Sequence, residues 1–299
     1  MGYLYLIIAT LLWSFVGVMV KTASTMFHSS TITFGRFLFG FIFLGLFMKS
    51  KGQKINIYWK NKWIWVGVFG KSLNYILENI AIRIGYAYSN VIIWPIQAVF
   101  LMFMAFILFK EKITSTKLIA SILCLVGVFL VSWKGMPFSQ LFGNNLLSSL
   151  LLIISAIGAG VHVTSQRALV NTIDSGNMNF SVFLLSSILT FVQVPFNLHL
   201  TGNVNIYAIL SLVGLGLVTG VSFYLQAEAL KKVSFLTVGI VSNTSVLFTL
   251  LWSKLFLNEH MNSYIIAGAT ILLIGMILIS IQKDTSSETV NHLAKSNKM

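Results

Sequence analysis

Ten stretches of this 299-residue chain stay apolar for about the 20 residues that a helix needs to cross a bilayer, and that recurrence restricts the fold more than any motif does. They run over residues 2–20, 30–48, 63–82, 86–109, 116–133, 145–167, 180–198, 206–229, 233–256 and 263–281. Inside lipid every backbone N–H and C=O must be bonded within its own segment, so each run is expected to be a helix. The fold class that follows is an all-α integral membrane protein with ten transmembrane helices. Composition agrees: 57% of residues are apolar and 9% charged, against roughly 25% charged in a soluble domain, and the mean hydropathy is +0.87.

Lys and Arg number 20 against 7 Asp and Glu, a formal charge of +13. In a soluble chain that excess would suggest nucleic acid; here its placement gives topology instead. With the N-terminus inside, the even-numbered connections and the tail collect Lys49, Lys51, Lys54, Lys60, Lys62, Lys110, Lys112, Lys117, Arg167, Lys231, Lys232, Lys283, Lys295 and Lys298. The opposite connections hold only Lys21, Arg83, Lys134 and Lys254. Both termini are therefore expected on the cytoplasmic side of the cell membrane, with anionic lipid headgroups as partners and no role for nucleic acid. The first run is expected to be retained, because no Lys or Arg precedes it, and Leu6 breaks a myristoylation motif. Cys124 is the only cysteine, which excludes an intramolecular disulfide.

Residues 77–132 and 225–280 align without a gap at a constant offset of 148. In each copy an apolar run ends at a glutamate (Glu111, Glu259), a glycine follows sixteen residues later (Gly127, Gly275), and a serine five beyond that (Ser132, Ser280). Five spans per copy is an odd number, so the second copy must insert upside down, giving a pseudo-two-fold axis in the membrane plane and a site near the midplane. The expected units are 1–134 and 145–282, followed by a polar, disordered cytoplasmic tail at 283–299.

The Trp13-Ser14 pair followed by Gly17 and Lys21, Arg36 in the second span, Pro95 in the fourth, and the paired run endings "LFKEKIT" and "LFLNEHM" resemble the EamA-type members of the drug/metabolite transporter superfamily. The chain departs from that pattern in having Asn243 opposite Pro95 and no tryptophan in "AIGAGVHVTSQRAL". The resemblance implies a ten-helix carrier of small organic molecules, often an exporter of amino acids or other metabolites.

Charge at bilayer depth is costly and marks candidate pathway residues. In the third span Lys71, Asn74, Tyr75 and Glu78 fall on one helical face; their partners at offset 148 are Thr219, Ser222, Phe223 and Gln226, so the two stripes read as two walls of one cavity. The plainer reading is that Lys71 and Glu78 pair with each other or snorkel. Arg36 lies at a depth where it could pair with Glu78, making Glu78 a gate or a protonatable site. Glu228, beside Lys231 and Lys232, reads as structural. The fourth and ninth spans add Asn90, Trp94, Pro95 and Gln97 against Ser242, Asn243 and Ser245, with Pro95 expected to kink its helix. Trp13 and Trp94 lie inside their spans and could line a pocket with Tyr75 and Phe223. His162 is the histidine deepest in a run, a bundle residue or a proton relay. Gly214, Gly216 and Gly220 read as helix-packing positions.

These residues favour a secondary transporter of a small metabolite, with no cofactor or metal and with proton coupling open. A quaternary-amine carrier suits the aromatics and Glu78 but is opposed by Lys71, which suits a carboxylate-bearing substrate such as an amino acid. A membrane enzyme lacks its parts, since no H-E-x-x-H and no nucleophile beside a base occurs. An ATP-driven pump lacks a P-loop. A non-transporting scaffold remains the reading from another class.

Overall fold

The computed structural model describes residues 2–109, 114–136, 144–169, 172–194, 204–230 and 244–281, and these are helical with short connections. In chain order they form α1 (Gly2–Ser14), α2 (Val16–Ala23), α3 (Ser29–Ser50), α4 (Lys62–Ile84), a 3-10 helix (Ala87–Ile92), α5 (Ile93–Phe109), α6 (Ser115–Trp133), α7 (Asn144–Leu169), α8 (Ser175–Phe191), α9 (Ile206–Leu230), α10 (Ser245–Leu257) and α11 (Ser263–Ile281). Among the described residues five stretches are long and apolar enough to cross a membrane: Gly2–Ala23, Ser29–Ser50, Ala87–Leu108, Leu146–Leu169 and Ile206–Gln226. α4 is as long as these but carries Lys71 and Glu78 within it.

Short polar side chains set the starts. Asn61 Oδ1 accepts from Trp63 N–H at 2.8 Å to open α4, Asp174 Oδ1 from Asn177 N–H at 3.0 Å to open α8, and Asn262 Oδ1 from Ile265 N–H at 3.1 Å to open α11. The Asp174 cap explains why α8 covers 175–191 where hydropathy placed a span at 180–198. Its polar first turns are buried and bonded rather than solvated: Asn177 Nδ2 donates to Lys54 O (3.1 Å), and Ser181 Oγ accepts from Tyr58 N–H (3.1 Å).

Two expected spans carry internal breaks. The first is interrupted at Phe15 between α1 and α2. The fourth begins as the 3-10 helix and turns α-helical at Ile93, which leaves Pro95 in the first turn of α5. The missing N–H of Pro95 therefore falls beside a change of helix type, two residues after it. Of the ninth span, only the part from Thr244 lies within the described residues; Ser242 and Asn243 lie outside them.

α4 packs on α7, α9 on α1, α2 and α3, α3 also on α8, α5 on α7, and α6 on α11. Glycines permit the closest of these approaches. A Cβ on Gly70 would fall 2.8 Å from both Gly158 O and His162 N, and one on Gly127 would fall 2.8 Å from Gly268 O. Large apolar side chains such as Leu46, Phe69, Ile107 and Phe129 are exposed, whereas Arg36, Lys71, Glu78 and Asn79 are buried. That inversion of the soluble pattern places lipid outside and the polar groups within.

Candidate transport cavity

The helical repeat of α4 brings Lys71, Asn74, Tyr75 and Glu78 to its inner face, and all four are buried. Asn74 is fixed from both sides by Ser155 of α7: Asn74 Nδ2 donates to Ser155 Oγ, and Ser155 Oγ donates to Asn74 O, each at 2.8 Å. Its Oδ1 then accepts from Lys71 Nζ at 3.0 Å. Lys71 Nζ also faces the rings of Tyr75 (4.3 Å to the centroid) and Phe223 (4.6 Å).

One turn on, Arg36 of α3 reaches across. Its Nη1 donates to Glu78 Oε2 at 2.7 Å and to Asn79 Oδ1 at 2.8 Å, while its Cζ lies 3.5 Å from the Tyr75 ring centroid. Asn79 is held in turn by donating to Thr33 Oγ1 (2.8 Å). Such a buried pair is favourable only when the remaining polar atoms are also satisfied, which Asn79 and Thr33 supply in part. The expected alternative of a Lys71–Glu78 pair does not form; among the described residues Arg36 takes the carboxylate, and Lys71 has no carboxylate within 4.0 Å.

The α9 stripe meets this face. Tyr75 Oη and Thr219 Oγ1 lie 3.1 Å apart, and Phe223 sits edge-on to His162 at 5.9 Å and to Trp13 at 5.3 Å. Trp13 in turn contacts Trp94 at 5.5 Å. Together these groups line a cavity of about 80 Å³. α1 contributes Trp13, α3 Arg36, and α4 its whole stripe of Lys71, Asn74, Tyr75 and Glu78. Trp94 and Gln97 come from α5, His162 from α7, and Phe223 and Gln226 from α9. Neither ring nitrogen of His162 has a hydrogen-bond partner among the described residues, the Gly67 backbone being its polar neighbour.

Ser222 is buried but does not line the cavity, and Asn243 lies outside the described residues. The reason for the first is packing: Gly220 sits against the backbone of Gly40 and Leu44, and Thr219 against Gly40, so this part of the stripe serves the contact with α3 and the wall begins at Phe223. The side chain of Glu228 also lies outside the described residues. Among the described residues no group of three or more His, Cys, Asp or Glu could hold a metal ion.

Sequence reasoning missed the positioning residues Thr33, Asn79 and Ser155, single polar residues with no pattern to mark them. It also missed a second cluster at one end of the bundle. Glu259 accepts from the N–H groups of Ala87 (2.7 Å) and Tyr88 (3.2 Å), capping the 3-10 helix from the far half of the chain. Lys21 Nζ donates to the last carbonyls of α4, Ile82 (3.1 Å), Arg83 (3.0 Å) and Gly85 (2.5 Å). Lys134 Nζ lies 3.9 Å from the Tyr86 ring centroid, and Asn262 Nδ2 donates to Lys134 O at 2.6 Å. Burial pushes the Glu259 carboxyl up, against its two backbone hydrogen bonds and the lysines. Burial likewise pulls Lys134 down to about 8, with Glu259 opposing. The signals were available in the glutamate that ends the second repeat's run and in Lys21 of the first span, but nothing in the sequence joined them.

The sequence model of the EamA-like transporter family matches residues 1–133 and 146–281. An uncharacterised transporter of Archaeoglobus fulgidus is 23% identical over 240 residues, 76% of this chain and 80% of that protein. The uncharacterised inner membrane transporter YhbE of Escherichia coli K12 is 24% identical over 267 residues, 85% of this chain and 80% of its own. A solved crystal structure shares the fold with a TM-score of 0.68 at 15% identity, over 93% of this chain and 97% of that one.

Proposed function

The chain belongs to the EamA-like transporter family and is a multi-pass membrane transporter, and we propose on that premise that it moves a small organic metabolite, an amino acid or related compound with export favoured, by alternating access. The observation that carries this reading is the cavity itself, in which buried polar groups from α3 and α4 face aromatic and amide groups from α1, α5 and α9. A scaffold has no use for Lys71 and an Arg36–Glu78 pair inside lipid, where each ion costs several kcal/mol to bury.

We read the architecture as ten spans in two inverted five-helix repeats, with both termini cytoplasmic. Three observations support it. The family model matches each half. The stripes related by the offset of 148 touch at Tyr75 and Thr219. The main helix pairings correspond when the halves are exchanged: α4 on α7 with α9 on α1 and α2, α3 on α9 with α8 on α4, and α6 on α11 with itself.

A cavity of about 80 Å³ is well below the roughly 300 Å³ of ordinary small-molecule pockets, so a bound metabolite requires the walls to part. On one side the Lys21, Lys134 and Glu259 cluster holds those walls together; releasing it is the outward half of the cycle. The Trp13, Trp94 and Phe223 cluster gives an organic cation as the second reading.

The test is counterflow in liposomes containing the purified protein, over a panel of amino acids, organic acids and quaternary amines. Uptake confined to one chemical class and lost in Glu78→Gln and Lys71→Met supports the reading. Uptake that survives both substitutions removes the cavity from the transport path.

A further inference from the structure

We infer that the cavity takes a substrate carrying one net negative charge, a monocarboxylate docked on Lys71, rather than a zwitterion or a cation. This narrows the proposed function, setting aside its amino-acid branch in favour of related compounds that carry a single carboxylate, and rests on the cavity being the transport site.

The side chains in the cavity lining that can carry a charge near neutral pH are Arg36, Lys71, Glu78 and His162. Arg36 and Glu78 cancel: they meet at 2.7 Å, and Asn79 accepts from the same guanidinium nitrogen. Lys71 is not cancelled by anything described. It is 5% exposed, its one hydrogen bond goes to a neutral amide oxygen, and the faces of Tyr75 and Phe223 supply the rest of its surroundings. The ammonium group has three N–H donors, so two remain for a ligand. With Lys71 protonated and His162 uncharged the site sums to +1, and an ion left in that state inside a membrane is unfavourable.

A ligand of charge −1 brings the sum to zero and gives Lys71 the charge-assisted bond it lacks. A zwitterion leaves the sum at +1, and its ammonium must lie within the same small space as Lys71 and Arg36. A cation raises it to +2. The remainder of the ligand meets the rings of Trp13, Trp94 and Phe223, which favour an apolar body behind a single carboxylate. Gln97 and Gln226, also in the lining, can bond a second oxygen such as a 2-oxo or 2-hydroxy group.

The experiment compares molecules that differ in charge but share a side chain. Three triplets of increasing size serve as probes: acetate, glycine and methylamine; 4-methyl-2-oxopentanoate, leucine and isopentylamine; and phenylpyruvate, phenylalanine and phenethylamine. Counterflow and thermal midpoint are measured on the full chain at pH 7. In at least one triplet the acid is expected to be recognised tenfold or more better than its partners. Lys71→Arg should keep that order. Lys71→Gln should reverse it toward the amino acid, while its thermal midpoint without ligand stays at or above the wild-type value, showing that the variant is folded. Preference for the amino acid or amine in the wild type, with Lys71→Gln altering uptake, overturns the charge assignment and keeps the cavity as the site. Recognition that ignores Lys71, equal recognition within every triplet, or recognition of no probe overturns the inference, and the first of these overturns the site as well.

Discussion

Arg36, Glu78 and Asn79 form a unit in which each side chain is satisfied chiefly by the others, at 2% to 0% exposure for Arg36 and Asn79. Removing one charge strands the other in a medium that cannot solvate it. Arg36→Met and Glu78→Gln should therefore each destabilise by about 3–5 kcal/mol, read as a lower thermal midpoint in detergent. Replacing both charges, Arg36→Met with Glu78→Gln, should cost clearly less than the sum of the two, because no ion is then stranded. Simple additivity would mean that the pair contributes little as a pair. Lys134 offers a pH-dependent counterpart at the membrane surface. Burial lowers it from its ordinary 10.5 to about 8, so between those values the unfolded chain binds more protons than the folded one. Stability from this group thus rises as pH increases from 8 toward 10.5. In Lys134→Met that rise should flatten, which midpoints measured at pH 7.5 and 9.5 would show.

The helix contacts turn on single atoms. At Gly70 the neighbours a Cβ would strike at 2.8 Å are Gly158 O and His162 N, both backbone, so neither can swing aside. Gly70→Ala should destabilise by about 1–3 kcal/mol, whereas Ala at Gly214, whose nearest neighbour is the flexible end of Met19 at 3.3 Å, should be nearly neutral. These differences were only partly legible in the sequence. The apolar runs gave the helices, and the spacing of Lys71, Asn74, Tyr75 and Glu78 gave the polar face, because both follow from helical periodicity along one segment. The partner of each helix did not follow. Hydropathy also could not see that Asp174 would start α8 early, or that the run from Ala87 would begin as a 3-10 helix and so place Pro95 beside a change of helix type. On α9 periodicity alone grouped Ser222 with Phe223; the glycine contact with α3 decides which of them reaches the cavity.

The connections of this chain sort into two groups. Lys21, Gly85, Ala87, Lys134, Glu259 and Asn262 come from the first, third, fifth and ninth connections or their edges, and the structure gathers them at one end of the bundle. Residues of the second and sixth connections bond one another elsewhere, through Asn56 with Asn177 and Tyr58 with Ser181. Odd with odd and even with even is what the proposed ten alternating spans require, and the lysine-rich connections are the even ones. Two consequences can be measured together. In a Cys124→Ser background, a cysteine at Asn262 should react with a membrane-impermeant maleimide in intact cells, and one at Gln53 only after the cells are opened; the reverse result would invert the topology. In the same background a cysteine at Gln97, on the cavity wall, reports the end cluster as a gate. Glu259→Gln deletes one charge-assisted bond to the 3-10 helix, about 1.5–3 kcal/mol. Labelling of the Gln97 cysteine from outside should then rise about tenfold or more. Unchanged labelling would mean that Glu259 is a cap on the fourth span and that closure on that side is held elsewhere.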